Sequence, residues 1–390
     1  MPDICSTQSK ISILLFLAFL AILSVLYSIQ VFNYDSTISG ISSIYLKNVQ
    51  KLKESYPPML IGAYESENRI SVSVAALKPI GFTVYCRYFD KNGTEHEKPM
   101  KAFIYPLFVV ICDKKSAETH RMAITDGSIG DVPEQFQVMV TRWNGGSKTF
   151  LYTGVSKFYF YVREIELNDM FLLKHYAIKR EEVELIDIPS IYFDAVSQQL
   201  LAIADCHLRN RLSANWTIFS DIDERLVMTE EKETIREFLQ ESISEKYGAV
   251  MFAQRWIFKY EKLPEKFINY QQIMEEMPTR KWSLTTQPAV NCTDGKHCWG
   301  KMIINNQKVL QMLVHDVGEY ENGYVPFILD PEVGYIRHYR DMNLGKWWER
   351  NRGAIEKYQP FTNTTYSPYF GSQLLSNVLQ VLHEIYKPQR

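Results

Sequence analysis

The hydrophobic positions of this chain fall into successive patterns. From Ile11 to Phe32, ISILLFLAFLAILSVLYSIQVF, 22 residues carry no charge. As a helix this run is roughly 33 Å long, about the depth of a bilayer's hydrocarbon core. It is longer than the roughly 7–15 apolar residues of a cleaved signal peptide, and no small-residue cleavage motif is evident. The run predicts an uncleaved, single-span anchor with residues 1–10 as a cytoplasmic tail. Lys10 on one side and Lys47, Lys51 and Lys53 on the other leave the orientation open on charge alone. Residues 33–58 are polar, mixed in charge and broken by Tyr56-Pro57-Pro58, which reads as a stem.

Over residues 59–135 the pattern is one of short β-branched and aromatic runs, ISVSVAAL, FTVYCRYF and FIYPLFVVIC, separated by turn signals such as DKNG. This predicts a β-rich appendage. From Phe158 strands and helices alternate: FYFYV and VELIDI read as strands, NDMFLLKHYAIKR and AVSQQLLAIADCHLRNR as helices, and NWTIFSDID as a further strand. Such alternation predicts βαβ units and a largely parallel sheet, an α/β fold spanning residues 136–346. Residues 347–390 are expected to form a C-terminal helical extension. On the helix from Ala195 to Arg211, Gln198, Asp205 and Arg209 share one narrow stripe, while Val196, Leu200, Ile203 and Leu208 cover the opposite side. His207 falls among the apolar residues and reads as a buried histidine.

Composition changes this picture little. Of 390 residues, 46% are hydrophobic and 23% charged, which suits a globular chain with a sizeable core. A net charge of −2 with no long basic block offers nucleic acid no electrostatic footprint. Four N-glycosylation sequons follow the apolar run, at Asn92, Asn215, Asn291 and Asn363. Asn92, Asn291 and Asn363 are expected to carry glycans; Asn215, at the start of an apolar strand, is not. Cys86, Cys112, Cys206, Cys292 and Cys298 also follow it, an odd number compatible with an oxidising compartment. Their pairing is not legible. The spacing of CTDGKHC suits a Cys292–Cys298 bridge, and zinc only weakly.

The candidate chemistry lies in NWTIFSDIDERLV, Asn215 to Val227, where an apolar run ends in Asp221, Asp223 and Glu224. In open α/β sheets ligands bind beyond the carboxyl ends of strands. Two carboxylates one residue apart at such an end can share a divalent cation that also holds a diphosphate. Alone, D-x-D is a weak signal, because any acidic loop matches it.

The surrounding residues strengthen it. QQLLAIADCHLRNRLSANWTIFSDIDERL, Gln198 to Leu226, resembles the core of glycosyltransferase family 92, also called domain of unknown function 23. GVSKFYFYV (Gly154 to Val162), KMIINNQKVLQMLVHDV (Lys301 to Val317) and HYR (His338 to Arg340) are similar to further family segments in the same order. The resemblance covers about Phe136 to Lys346.

It implies a type II Golgi membrane enzyme with a luminal, GT-A-like, Rossmann-type domain that is metal-dependent and inverting. The donor would be a UDP-sugar, most naturally UDP-galactose, and the acceptor a glycan on a glycoprotein. By the same resemblance Asp221 and Asp223 would hold Mn²⁺ or another divalent cation and the diphosphate, with Glu224 beside them in a catalytic position. Asp205, Arg209 and Lys301 would support the donor, and His315 or His338 would add a metal ligand. Asp316, Glu319 and Asp330 are candidates for the base by position only. The aromatic-rich QRWIFKY, Gln254 to Tyr260, is a candidate acceptor platform, although such stripes are more often core. One segment departs from the family pattern. FQVMVTRWNGGSKTFLYT, Phe136 to Thr153, is short, carries a helix-breaking WNGG and lacks an acidic residue where the family has a strand and a full helix. It leaves a second reading, a catalytically inactive paralogue that binds glycans or partners.

Overall fold

The computed structural model describes residues 59–142, 155–259, 284–285, 300–341, 362–363 and 368–386, apart from short gaps inside these ranges, and the isolated positions 271, 349, 352, 353 and 356. The predicted anchor and stem, Asn291, Cys292 and Cys298 lie outside the described residues. Among the described residues no helix is long and apolar enough to cross a membrane.

The first seven strands are β1 (Met59–Glu65), β2 (Arg69–Ala75), β3 (Thr83–Phe89), β4 (Met100–Phe103), β5 (Val109–Asp113), β6 (Arg121–Thr125) and β7 (Val138–Thr141). They form one sheet in the order β4-β3-β6-β7-β1-β2-β5. A bridge between Ile104 and Val110 joins the two ends of that order, so the sheet closes on itself. Alternate residues Val84, Cys86 and Tyr88 of β3 point inward and are fully buried, as a period of two requires. Cys86 and Cys112 form a disulfide inside this core. β2 is buried on both faces, Ser71 and Ser73 included, because a helix covers its outer side.

That helix comes after β8 (Phe158–Val162), α1 (Leu167–Lys179) and β9 (Val183–Asp187). It is α2, Ala195–Asn210. Leu201 and Leu208 pack on Ala75, Phe108, Tyr64 and Val109 of the first sheet. On its other side Ile203 packs on Phe219, Ala249, Met302 and Ile304 of the main sheet. The β-rich region therefore shares a core with the rest of the folded chain, and β7, beyond residue 135, belongs to it.

The remaining elements are β10 (Trp216–Ile218), β11 (Glu224–Met228), α3 (Ile235–Glu241), β12 (Tyr247–Lys259), β13 (Leu284–Thr285), β14 (Gly300–Asn305), β15 (Val309–Met312), β16 (Val317–Tyr320), β17 (Val325–Ile328), β18 (Gly334–Asp341), β19 (Thr362–Asn363) and α4 (Pro368–Tyr386). Thr234 caps α3 in a reciprocal box with Glu237, and the helix buries Ile235, Phe238 and Leu239 against the main sheet.

The expected α/β, GT-A-like Rossmann-type fold is not what forms. The described residues hold far more strand than helix, and the eight-stranded main sheet is mixed. β10–β14, β12–β14, β11–β18, β12–β13 and β13–β19 run antiparallel, and only β12 with β17 and with β18 runs parallel. Strand–helix–strand alternation yields one parallel unit, β8–α1–β9, in a separate two-stranded sheet. The physical reason is that periodicity identifies a strand, while its direction is fixed by whichever distant strand it pairs with. β10 pairs along one side with β14 and spans three residues.

Candidate active site

After β10 the chain buries Phe219, turns at Asp221, Ile222 and Asp223, and re-enters the sheet as β11 at Glu224. The acids therefore sit in a tight turn between two strands, rather than at the end of one. Ile222 projects outward, 78% exposed. The Asp221 amide donates to Glu224 Oε2 at 2.9 Å, and the Glu224 amide to the Asp221 carbonyl at 3.1 Å. These two bonds close the turn. The side chains of Asp221 and Asp223 stay 39% and 37% exposed, and that of Glu224 is 0% exposed.

Neighbouring strands deliver the partners. β14 lies beside β12 with Lys301 opposite Phe252. The approach is close at Gly300, where an added Cβ would lie 2.6 Å from the Phe252 carbonyl oxygen. Lys301 Nζ, itself buried, reaches Asp221 Oδ2 at 2.9 Å and Glu224 Oε2 at 3.5 Å. β18 places His338 opposite Glu224 of β11. His338 Nε2 lies 3.3 Å from Asp223 Oδ2, and Arg340 Nη1 lies 3.4 Å from the same oxygen. From α2, Gln199 Nε2 donates to Asp221 Oδ1 at 3.2 Å. From β12, Gln254 Nε2 donates to Glu224 Oε1 at 3.0 Å.

Environment separates the two acids whose pKa values shift. Burial raises the Glu224 carboxyl above its usual range, with Lys301 only partly offsetting it. For Asp223 burial acts in the same direction, but the His338 hydrogen bond and the charges of His338 and Arg340 outweigh it and lower the carboxyl.

The structure thus brings Asp221, Asp223, Glu224, Lys301 and His338 together. Glu224, expected among the catalytic residues, has both oxygens committed to the turn and its partners, so it braces the site. Asp205 and Arg209, expected at the donor, share no hydrogen bond or ion pair with that cluster among the described residues. Asp205 is fully buried and accepts from Tyr64 Oη at 2.8 Å, Tyr161 Oη at 2.7 Å, Ser73 Oγ and Arg209 Nη2 at 3.2 Å. Arg209 also bonds Glu184 Oε1 at 2.9 Å. The polar stripe of α2 therefore faces the first sheet and β8, and Asp205 ties them together.

His315 Nδ1 lies 3.2 Å from the Gly300 carbonyl oxygen. Glu319 on β16 accepts from the Tyr105 hydroxyl of the first sheet. Among the described residues, His315, Asp316 and Glu319 share no hydrogen bond or ion pair with the cluster of Asp221. Nor do three or more His, Cys, Asp or Glu side chains there form a group suited to hold a metal. Asp330 caps a turn by accepting from the Glu332 amide. Asn92 is exposed; so is Asn215, because β10 is an edge strand.

Sequence reasoning missed Gln199, Gln254 and Arg340 as site residues. Arg340 was within reach, since it lies two residues from His338 and so on the same strand face. Gln254 opens a run otherwise read as an aromatic stripe.

A family model of glycosyltransferase family 92 matches residues 136–374, and the chain belongs to that family. It is therefore a glycosyltransferase-family protein. No curated protein matches the chain, and no solved structure does.

Proposed function

We propose that the chain is an inverting, metal-dependent transferase that moves galactose from UDP-galactose to a glycan on a glycoprotein. The observation that carries this reading is the Asp221–Glu224 turn, with two half-exposed carboxylates held by Lys301, His338 and Arg340 over a buried glutamate.

Charge supports a divalent cation such as Mn²⁺. Three carboxylates stand against Lys301 and Arg340, so a diphosphate alone would meet surplus negative charge. The residues fit such an ion as a partial shell. Hard cations prefer oxygen ligands; Asp221 and Asp223 would offer two carboxylates, and further oxygens would have to come from the diphosphate or water. When bound, the cation takes up negative charge on the departing UDP. Lys301 and Arg340 hold the two aspartates in place, and Gln199 orients Asp221.

The uncharged run at 11–32, the Cys86–Cys112 disulfide and the exposed sequon at Asn92 support a single-pass type II Golgi protein with its folded part in the lumen. The full chain in detergent is expected to melt higher with UDP plus Mn²⁺ than with either alone, and to transfer galactose to glycan acceptors as read by mass spectrometry. Absence of both effects would replace this reading with that of a luminal binding protein without catalysis.

A further inference from the structure

Phe108 lies in the loop between β4 and β5 with its backbone in the left-handed region, at φ 59°. A bulky residue seldom adopts that conformation, which persists only where the surroundings enforce it. Glycine would adopt it freely, so what this position supplies is the ring. Phe108 is 1% exposed and shares a core cluster with Ala75 of β2 and the fully buried Leu201 of α2. Its carbonyl accepts from the Val74 amide at 2.8 Å, which ties the loop to β2. Gln199 stands two residues before Leu201, roughly 200° around the helix. On that side its Nε2 donates to Asp221 Oδ1 at 3.2 Å. One turn of α2 is thus seated on the first sheet by one face and holds the acidic turn by the other.

We propose that Phe108 is a positioning residue for the donor site, acting on Asp221 through Leu201 and Gln199. In naming a donor site the inference rests on the proposed function. The contact is steric: the ring sets how far α2 stands off the first sheet. The Gln199 bond is at the long end of the hydrogen-bond range, so a retreat of the helix by roughly half an ångström breaks it. The family match begins at residue 136, and Phe108 makes a part of the chain outside that match a working part of the site.

The test reads the full chain in detergent, without donor or metal, by hydrogen exchange of peptides covering residues 219–224. Phe108→Leu leaves a gap beneath Leu201 and is expected to speed exchange there roughly 2–30-fold, as is Gln199→Met. The two combined should exchange no faster than Gln199→Met alone. Val84→Ala weakens the first sheet in a core cluster that holds no residue of α2, and should leave those peptides unchanged. Joint affinity for UDP and Mn²⁺ should fall about 10–100-fold in Gln199→Met, as it does when a partner behind a ligand is lost. It should fall in Phe108→Leu too, and no further in the combination than in Gln199→Met. Exchange that Phe108→Leu leaves unchanged, that Val84→Ala speeds equally, or that rises further in the combination would overturn the proposal. Should Phe108→Leu fail to fold, Leu201→Val trims the same contact and decides in its place: unchanged exchange overturns the proposal. If wild type binds no UDP with Mn²⁺, the proposed function fails, while exchange in the turn still decides whether Phe108 positions it.

Discussion

Two acidic sites carried by one stretch of chain, Asp205 on α2 and the pair Asp221 and Asp223 in the turn after β10, have opposite characters. At Asp205 the carboxylate is sealed, and its oxygens are taken by Tyr64, Ser73, Tyr161 and Arg209. At Asp221 and Asp223 each carboxylate has cationic partners on one side and solvent on the other. Hydrogen bonds from the protein use up the first acid's binding capacity, and half-exposure preserves that of the second. Charge alone does not leave a carboxylate available to a ligand; an open edge does.

The comparison breaks most visibly at Asp205. Asp205→Ala leaves the Tyr64 and Tyr161 hydroxyls without their buried acceptor and the half-buried Arg209 with Glu184 alone, and is expected to cost about 3–4 kcal/mol in denaturant unfolding. A variant of undiminished stability that no longer binds UDP would move Asp205 to the donor. Next comes His207, two residues along α2. Burial, and then the charge of Arg211, pull it down to about 4. The unfolded chain, with an ordinary histidine, takes up the proton first as pH falls. Stability from neutral His207 is therefore full above about pH 6.5 and lost toward pH 4, by on the order of 3 kcal/mol. His207→Gln should flatten that part of the stability curve.

At the open cluster, Asp223→Asn is expected to change stability by about 1 kcal/mol or less, because its pairs are half-exposed. It should nevertheless abolish the joint stabilisation by UDP and Mn²⁺, about 2.7 kcal/mol at 100 times the dissociation constant. An unchanged ligand shift would remove Asp223 from the site. The smallest expected effect is at Tyr161→Phe, which takes one of several donors from Asp205 and should cost about 1 kcal/mol without changing ligand shifts.

Much of the local structure is legible in the chain. The periods of α1 and α2 are clear, as are the runs that become β8, β9 and most of the first sheet. The acidic residues are also legible, though as the end of a strand rather than a turn, and the motif order brings Lys301 and His338 into view. The parallel sheet is a misreading because β10 and β12 pair antiparallel with β14, and β11 antiparallel with β18, far along the chain, and hydrophobic period carries no information about direction. The surroundings of the polar stripe of α2 are hidden for a related reason. Periodicity shows that Asp205 and Arg209 share a side, but not that Tyr64 and Ser73 pack against it. Gln254 is hidden because one polar residue beside Trp256 and Phe258 reads as part of a core strand.

The length of β12 has a mechanical consequence. Its first half holds β14 and β17, and its second half holds β13 and β18. One continuous strand thus acts as a rail along which both flanks of the cluster, Lys301 on β14 and His338 on β18, are mounted. Both mounts lie on one continuous strand, so the spacing of Lys301 and His338 is expected to hold when a ligand binds. Adjustment to an arriving donor falls to the turn that carries Asp221, Ile222 and Asp223.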